Sequence, residues 1–187
     1  MRIISGAYRG FHLRSLKGAN LRPTSDQMRQ TLFDVLGPAV AGSRFLDIYA
    51  GSGAVGIEAL SRGASEVALV ENHRAAVQLI RRNLETLEAD TGARVLACLA
   101  ASAVERLANE GASFDYVFLD PPYAEVAEYH RILRQLGRAP VLAPGALAVA
   151  EHSRHLRLEE GYGRLARIRT LRHGDSQLSF YRPGDGC

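Results

Sequence analysis

The hydrophobic positions of the chain fall into two alternating patterns. Short apolar runs, typical of buried strands, alternate with longer stretches in which apolar residues recur every three or four positions, as they do in helices. The runs predict strands over 44–49, 66–70, 94–99, 114–119 and 145–150. The longer stretches predict helices over 25–36, 54–62, 73–88, 102–109 and 125–136. This alternation predicts an α/β fold with a mostly parallel sheet.

Both ends of the chain depart from the alternation. Two further strands, over 164–172 and 177–181, have no helix between them, so they should form an antiparallel hairpin and bring the sheet to seven strands. Residues 2–5 and 11–16 flank a Tyr8-Arg9-Gly10 turn and predict a small N-terminal β-hairpin. We therefore expect a hairpin extension over 1–22 and a main domain over 23–187. Thr24 and Gln27 form a capping-box pattern that should start the first helix.

The composition narrows the class of protein. The chain has 187 residues, 47% of them hydrophobic and 23% charged, which is ordinary for a soluble globular domain. No apolar run reaches the roughly 18 residues of a membrane span and no secretory signal is visible, so a cytoplasmic location is expected. Two cysteines, Cys98 and Cys187, argue against a disulfide framework. The six histidines lack metal-ligand spacing, and His152 and His155 are expected at the surface. We expect a monomer without a bound metal.

The net charge is only +3, but the cations are concentrated in two segments. Residues 1–25 contain no acid and five cations, namely Arg2, Arg9, Arg14, Lys17 and Arg22. A second basic segment contains Arg154, Arg157, Arg164, Arg167, Arg169 and Arg172. Such segments can be solvated surface, but cations without neighbouring acids favour a polyanionic partner.

A glycine-rich turn follows the first predicted strand. Residues 51–56 match the dinucleotide-binding pattern G-x-G-x-x-G, and Glu71 follows at the end of the next strand, where its carboxylate suits a ribose diol. Asp47, however, lies four residues before Gly51, and a carboxylate there would repel a pyrophosphate. It would favour a cofactor with a positive group such as an amino-acid ammonium. S-adenosylmethionine has that ammonium and a sulfonium cation, and it has no phosphate. The alternative is that Asp47 only caps local backbone amides.

The segment Asp120-Pro121-Pro122-Tyr123 directly follows the fourth predicted strand. Two consecutive prolines fix the backbone in an extended turn and contribute no N–H donors. The Asp120 carboxylate and the Pro121 carbonyl could therefore both accept from one amino group, which would free its lone pair for attack on a methyl group. Tyr123 could stack on the planar group that carries the amine. The alternative is a purely structural Pro-Pro turn.

Four polar residues, Asp47, Glu71, Ser102 and Asp120, lie at or just past the ends of different predicted strands. Ligands of open α/β sheets bind at the carboxyl ends of the strands. These four positions are therefore expected to line one crevice.

The motifs together resemble those of the Rossmann-like, class I S-adenosylmethionine-dependent amino-methyltransferases. Within that class, the order and spacing of several segments resemble the RsmD-type bacterial methyltransferases, which act on a guanine N2 of 16S rRNA. Those segments are residues 6–10, 21–26 with Arg29 and 32–33, 47–53 and 58–63, and the match extends over roughly 2–182.

The resemblance implies S-adenosylmethionine as the cofactor and the small ribosomal subunit as the partner. It also implies that the basic N-terminal hairpin faces RNA. We expect Arg29, in the first predicted helix, to contact RNA as well. Catalysis is expected from Asp120, Pro121, Pro122 and Tyr123, and cofactor binding from Asp47, Ala50, Gly51, Ser52, Gly53, Glu71, Asn72, Ser102 and Asp120. Ser102 stands where the family usually has Asp or Asn, and Asn72 where related chains often have a second acid.

Two other functions remain compatible with the sequence. The same chemistry could act on adenine in DNA or on a glutamine side chain of a protein, although the chain lacks a large extra domain for reading duplex DNA. A non-catalytic RNA-binding assembly factor is the third possibility, and the intact Asp120–Tyr123 segment argues against it.

Overall fold

The computed structural model describes residues 1–15, 25–89 and 91–184. The chain forms two compact units, Met1–Cys98 and Leu99–Cys187. The predicted boundary between residues 22 and 23 lies outside the described residues, so the division into a 1–22 extension and a 23–187 domain stays a prediction.

The first unit alternates helices with parallel strands, as the hydrophobic pattern predicts. Its elements are α1 (Asp26–Leu36), β1 (Arg44–Ile48), α2 (Ala54–Ser61), β2 (Glu66–Val70), α3 (Arg74–Thr86) and β3 (Ala93–Leu96), with a 3-10 turn (Gly37–Val40) after α1. The strands lie in the order β3-β2-β1 and pair in parallel. Ile48 pairs with Val70, so β1 and β2 end side by side. This pairing places the two segments that follow these strands at one edge.

The other element ends of the first unit lie within two residues of their predicted positions, but the cap of the first helix and the end of the third strand differ for identifiable reasons. The side chain of Ser25 caps α1 by accepting from the Met28 amide at 3.1 Å, so the cap lies one residue after Thr24, which is outside the described residues. The third strand ends at Leu96 rather than at 99, because the Cys98 amide turns back to donate to the Leu96 carbonyl.

The N-terminal segment, residues 1–15, turns back on itself as predicted, but it forms one isolated β-bridge where two strands were predicted. Arg2 and His12 make an antiparallel bridge, and the Ile3 amide donates to the Phe11 carbonyl at 2.9 Å. Ile3 and Leu13 point inward and are 1% and 5% exposed. An isolated two-stranded hairpin is marginal in water, so this segment must be stabilised by the body of the unit.

Helix α2 holds the N-terminal segment through the buried side chain of Glu58. Its carboxylate accepts from the amides of Ile4 (2.8 Å) and Ser5 (3.0 Å) and from Nε of Arg62 (2.8 Å). Nε of Arg29, on α1, lies 3.8 Å from the same carboxylate. A buried carboxylate is tolerated when charged and hydrogen-bonding partners compensate its lost hydration, so Glu58 ties three elements together.

Ser61, one turn further along α2, adds a close backbone approach. The Ala7 amide donates to the Ser61 carbonyl at 2.7 Å, and the Tyr8 amide donates to the Ser61 hydroxyl at 3.0 Å. A Cβ atom at Gly6 would lie 1.7 Å from that carbonyl oxygen, which is far inside van der Waals contact. Gly6 is therefore required both by its φ of +86° and by the space available.

The second unit begins with one parallel strand pair and ends in an antiparallel meander. Its elements are α4 (Ala100–Asn109), β4 (Phe114–Leu119), α5 (Val126–Leu136), β5 (Leu142–Ser153), β6 (Gly161–Tyr162), β7 (Leu165–His173) and β8 (Ser176–Pro183). The strands lie in the order β4-β5-β8-β7-β6. Strands β4 and β5 are parallel, whereas β5–β8, β7–β8 and β6–β7 are antiparallel. The predicted C-terminal hairpin is therefore confirmed as β7–β8.

The described residues contain eight strands, one more than predicted. The additional strand, β6, has only two residues, too few for an alternating pattern to be visible in the sequence. Strand β5 is longer than its predicted 145–150 span because its polar end is paired with β8. There His152 is 0% exposed, and its Nε2 lies 2.8 Å from the Ser179 hydroxyl. The expectation of a surface position is wrong for His152, whereas His155 is exposed.

The two glycines of the N-terminal turn offer a matched test of how this segment is anchored. Both have left-handed φ values, +86° at Gly6 and +84° at Gly10, but a Cβ at Gly10 would meet nothing within 4 Å. Gly10→Ala should cost about 1–2 kcal/mol from backbone strain alone. Gly6→Ala should cost about 3 kcal/mol or more, because the chain must also move off Ser61. Urea unfolding of both variants measures the difference, and equal losses would contradict the close approach.

Candidate active site

The loop between β1 and α2 has an unusual backbone. Tyr49, Gly51 and Gly53 have φ values of +66°, +56° and +80°. The left-handed region is open to glycine but strained for a bulky residue such as tyrosine, at a cost of about 1–3 kcal/mol. A loop with this strain needs fixed anchors on both sides.

Asp47 provides the first anchor. It is the next-to-last residue of β1 and is 1% exposed, and its Oδ2 accepts from the Gly56 amide at 2.8 Å. Gly56 is the third residue of α2, where the backbone amides have no partners within the helix. Asp47 therefore caps a backbone amide of α2, which is the alternative role that the sequence analysis gave for this residue.

Burial raises the pKa of Asp47 from 3.8 to about 7. The loss of hydration is the largest cause, the negative charge of Glu71 adds to it, and the hydrogen bond from Gly56 opposes it. A cation placed close to these carboxylates would favour the charged form of Asp47, whereas a phosphate would disfavour it further.

Glu71 provides the second anchor. It directly follows β2, and its two carboxylate oxygens accept from the amides of Gly51 (2.9 Å) and His73 (2.8 Å). The second contact caps α3, whose own N-cap residue His73 makes no side-chain bond. Asp47 and Glu71 therefore hold the loop from the ends of two neighbouring parallel strands, in agreement with the expected placement of this pair.

The glycines of the loop serve different purposes. A Cβ at Gly56 would lie 2.8 Å from Leu69 Cδ2 and 3.0 Å from Val67 Cγ1, so this glycine lets α2 pack closely on β2. A Cβ at Gly53 would lie within 3.3 Å of three apolar side chains. A Cβ at Gly51 would approach nothing closer than 4.0 Å. The backbone at Gly51 therefore borders open space in which a ligand could approach.

The other predicted cofactor residues of the first unit lie in or next to this loop. The Ala50 amide donates to the Val70 carbonyl at 2.9 Å, which extends the pairing of β1 with β2. The Ser52 carbonyl accepts from Nδ2 of Asn83 at 3.0 Å. Asn72 is exposed beside Glu71. Asn83 is a residue that the sequence did not single out, because it interrupts the apolar face of α3 as one isolated polar side chain.

In the second unit, the Asp120–Tyr123 segment directly follows β4, as predicted. Tyr129, a wholly buried residue of α5, donates its hydroxyl to the Pro121 carbonyl at 2.9 Å. The Tyr123 hydroxyl lies 2.7 Å from the hydroxyl of Ser176 at the start of β8. The segment is thus fixed at its second and fourth residues. One lone pair of the Pro121 carbonyl is occupied by Tyr129, a contact that the sequence gave no means to anticipate.

Asp120 is half-buried at the end of β4, and Pro122 is exposed. Ser102 is exposed and is the third residue of α4, because this helix begins at Ala100 rather than at the predicted 102. The extended backbone of Leu99 precedes two alanines, which are strong helix formers and lengthen the helix at its start.

The expected RNA-facing residues separate into three groups. Arg2, Arg9 and Arg14 are exposed on the N-terminal segment, and Lys17 and Arg22 lie outside the described residues. Arg29 is 0% exposed, donates to the Arg2 carbonyl and pairs with Asp26 at 3.0 Å. A side chain with no exposed surface cannot contact RNA directly, so the assignment of Arg29 as an RNA contact is wrong and its role is structural.

Residues 1–15, 25–89 and 91–184 contain no group of three or more His, Cys, Asp or Glu that could hold a metal ion. Within the same ranges, the helices are too short or too polar to cross a membrane.

The chain is similar to methyltransferases over nearly its whole length. The family model described as "Conserved hypothetical protein 95" matches residues 1–182. "Putative rRNA methyltransferase YlbH" of Bacillus subtilis is 36% identical over 182 residues, which are 97% of this chain and 98% of that protein. "Ribosomal RNA small subunit methyltransferase D" of Escherichia coli K12 is 44% identical over 123 residues, which are 66% of this chain and 60% of that protein.

A solved structure, "Putative methyltransferase yhhF from Escherichia coli", superposes with a TM-score of 0.86 at 35% identity and covers 98% of both chains. The fold is therefore that of a Rossmann-like, class I methyltransferase. The chain belongs to the Conserved hypothetical protein 95 family, and the resemblance to the RsmD-type methyltransferases is confirmed.

The raised pKa of Asp47 makes a prediction about stability. Between pH 3.8 and about 7 the folded protein keeps a proton on Asp47 that the unfolded chain releases, so the free energy of unfolding falls as pH rises through this range. Asp47→Asn keeps an oxygen for the Gly56 amide and does not titrate. The stability of the wild type relative to this variant should therefore fall by about 2–3 kcal/mol between pH 5 and pH 8.

Urea unfolding at the two pH values measures this difference. Asp34→Asn, on the exposed side of α1, controls for the loss of one carboxylate elsewhere in the same unit. A wild-type-to-variant difference that stays constant, or that grows with pH, would refute the raised pKa.

Proposed function

We propose that this protein transfers a methyl group from S-adenosylmethionine to the exocyclic N2 amino group of a guanine in 16S rRNA of the small ribosomal subunit. The observation that carries the chemistry is the Asp120–Tyr123 segment, which is held rigidly after β4 by Tyr129 and Ser176. The names of the relatives at 36% and 44% identity support rRNA as the substrate class.

The loop between β1 and α2 fits the proposed cofactor. The carboxylates of Asp47 and Glu71 anchor it. Asp47 would oppose a pyrophosphate, whereas Glu71 suits the ribose of either kind of cofactor. The open space at Gly51 suits a ligand lying against the backbone, together with Ala50, Ser52 and Gly53. Because Asp47 is 1% exposed, it would act through the loop that it holds and not by direct contact. The ammonium of the amino-acid tail would favour the ionised form of this carboxylate. Glu71 would accept from the ribose hydroxyls, with Asn72 beside it, and Ser102 would lie against the adenine.

S-adenosylmethionine supplies a methyl group on a sulfonium centre, so the chain has to supply a reactive amine. The Asp120 carboxylate and the remaining lone pair of the Pro121 carbonyl would accept from the two hydrogens of the guanine amine. These hydrogen bonds would favour a pyramidal nitrogen whose lone pair is free to form the new N–C bond. The S–C bond of the sulfonium would break in the same step, and S-adenosylhomocysteine would leave. Tyr123 would stack on the base, and Pro122 would keep the turn extended. The methylated nitrogen would be cationic and would then release one proton to water, so catalysis would depend on positioning and electrostatics.

Tritiated S-adenosylmethionine and small ribosomal subunits that lack the modification test this function. Label should enter 16S rRNA. Label in DNA or protein alone would support the other amino-methyltransferase functions, and the absence of any transfer would support a non-catalytic assembly factor. Either outcome would refute the proposal.

Variants of Asp120 test the role of the turn in the same assay. Asp120→Ala should lower the transfer rate at least about 100-fold, because an acceptor on the reacting amine is lost. Asp120→Asn keeps one acceptor oxygen and should retain part of the rate. Asp175→Ala, an exposed position in the turn between β7 and β8, serves as the matched control. Binding of S-adenosylhomocysteine should change only a few-fold, because the proposed partner of Asp120 is the guanine amine. A large loss of S-adenosylhomocysteine binding in Asp120→Ala would contradict that assignment.

The basic side chains of the N-terminal segment test the proposed RNA contact. Arg9→Ala with Arg14→Ala should weaken binding to small subunits and reduce the slope of log affinity against log salt by roughly one to two. Arg106→Ala with Arg131→Ala, at exposed positions of α4 and α5, controls for net charge. If both pairs give the same slope, the N-terminal arginines are only solvated surface.

A further inference from the structure

Asn83 is a buried polar side chain on the inner face of α3. It is 2% exposed, and its helix neighbours on this face are Ala76, Ile80 and Leu84. A buried amide without hydrogen-bond partners is strongly unfavourable, so its partners explain why it occupies an otherwise apolar face.

The partners of Asn83 belong to two separate backbone segments. Its Oδ1 accepts from the Arg14 amide at 3.0 Å, and its Nδ2 donates to the Arg14 carbonyl at 3.2 Å. The same Nδ2 donates to the Ser52 carbonyl at 3.0 Å. The Arg14 pair resembles a β-bridge, in which one side chain takes the place of the second strand. Both amide hydrogens are used, one on the N-terminal segment and one on the glycine loop.

The N-terminal segment and the glycine loop meet at a second point as well. The Ser52 hydroxyl lies 3.7 Å from the sulfur of Met1, within hydrogen-bonding distance for sulfur. The two ends of the N-terminal segment therefore both reach Ser52, Met1 directly and Arg14 through Asn83.

We propose that Asn83 is a positioning residue that couples RNA binding at the N-terminal segment to cofactor binding at the glycine loop. This inference rests on the proposed function, which assigns those two ligands to the two segments. If either segment moves away, Asn83 is left with an unsatisfied buried group, so each segment stabilises the docked position of the other. A ligand that favours the docked position of one segment then raises the affinity of the other segment for its own ligand, and the effect is reciprocal.

Equilibrium dialysis of tritiated S-adenosylhomocysteine, with and without saturating unmodified small subunits, measures the coupling. In the wild type the particles should raise the affinity for S-adenosylhomocysteine roughly 5- to 20-fold. Saturating S-adenosylhomocysteine should raise the affinity for the particles by the same factor. In Asn83→Ala the factor should fall towards one, because only the contact of Met1 with Ser52 remains. Asn83→Asp, which places a carboxylate against the Arg14 and Ser52 carbonyls, should lower the factor in the same way.

Asn109→Asp, at the exposed end of α4, is the matched control and should keep the wild-type factor. A purely structural role of Asn83 would lower stability and leave the factor unchanged, so an unchanged factor in Asn83→Ala overturns the proposal. A wild-type factor of one overturns it as well, and that measurement does not depend on any variant folding. Failure of the wild type to bind S-adenosylhomocysteine at all would instead refute the proposed function.

Discussion

The Gly56 amide donates to the buried carboxylate of Asp47, and this hydrogen bond joins the end of β1 to the first turn of α2. It fixes both ends of a loop that contains three left-handed residues, one of them a tyrosine. The carboxylate is expensive to bury, as its pKa of about 7 indicates. The same loop is also held by Glu71, whose carboxylate accepts from the Gly51 amide. Two carboxylates thus fix the shape of the loop.

The N-terminal segment is built into the first unit. Glu58 and Ser61 of α2 hold its turn, and Gly6 allows backbone contact with α2. Asn83 holds its far end through the backbone of Arg14. This anchoring explains how the segment can present Arg2, Arg9 and Arg14 to solvent in a defined arrangement although it contains hardly any regular β-structure. It also places the basic segment in contact with the glycine loop, through Ser52.

The features set by local pattern could be predicted from the sequence. The helices and parallel strands follow from apolar periodicity, and the glycine loop and the Asp120–Tyr123 segment follow from residues that are adjacent in the chain. The features set by distant partners could not be predicted. Arg29 looked exposed because only its neighbour Asp26 was visible, whereas its burial depends on Glu58, 29 positions further along the chain. His152, Asn83 and Tyr129 are likewise polar residues whose burial is possible only because of partners on other elements.

The most direct test of the selectivity assigned to the glycine loop is a calorimetric titration of the purified protein with S-adenosylhomocysteine and, separately, with NAD. Asp47 should favour the ligand that carries an ammonium group over the one that carries a pyrophosphate, whereas Glu71 suits the ribose of either. We expect saturable binding of S-adenosylhomocysteine and no saturable binding of NAD. Saturable binding of NAD without binding of S-adenosylhomocysteine would contradict the account.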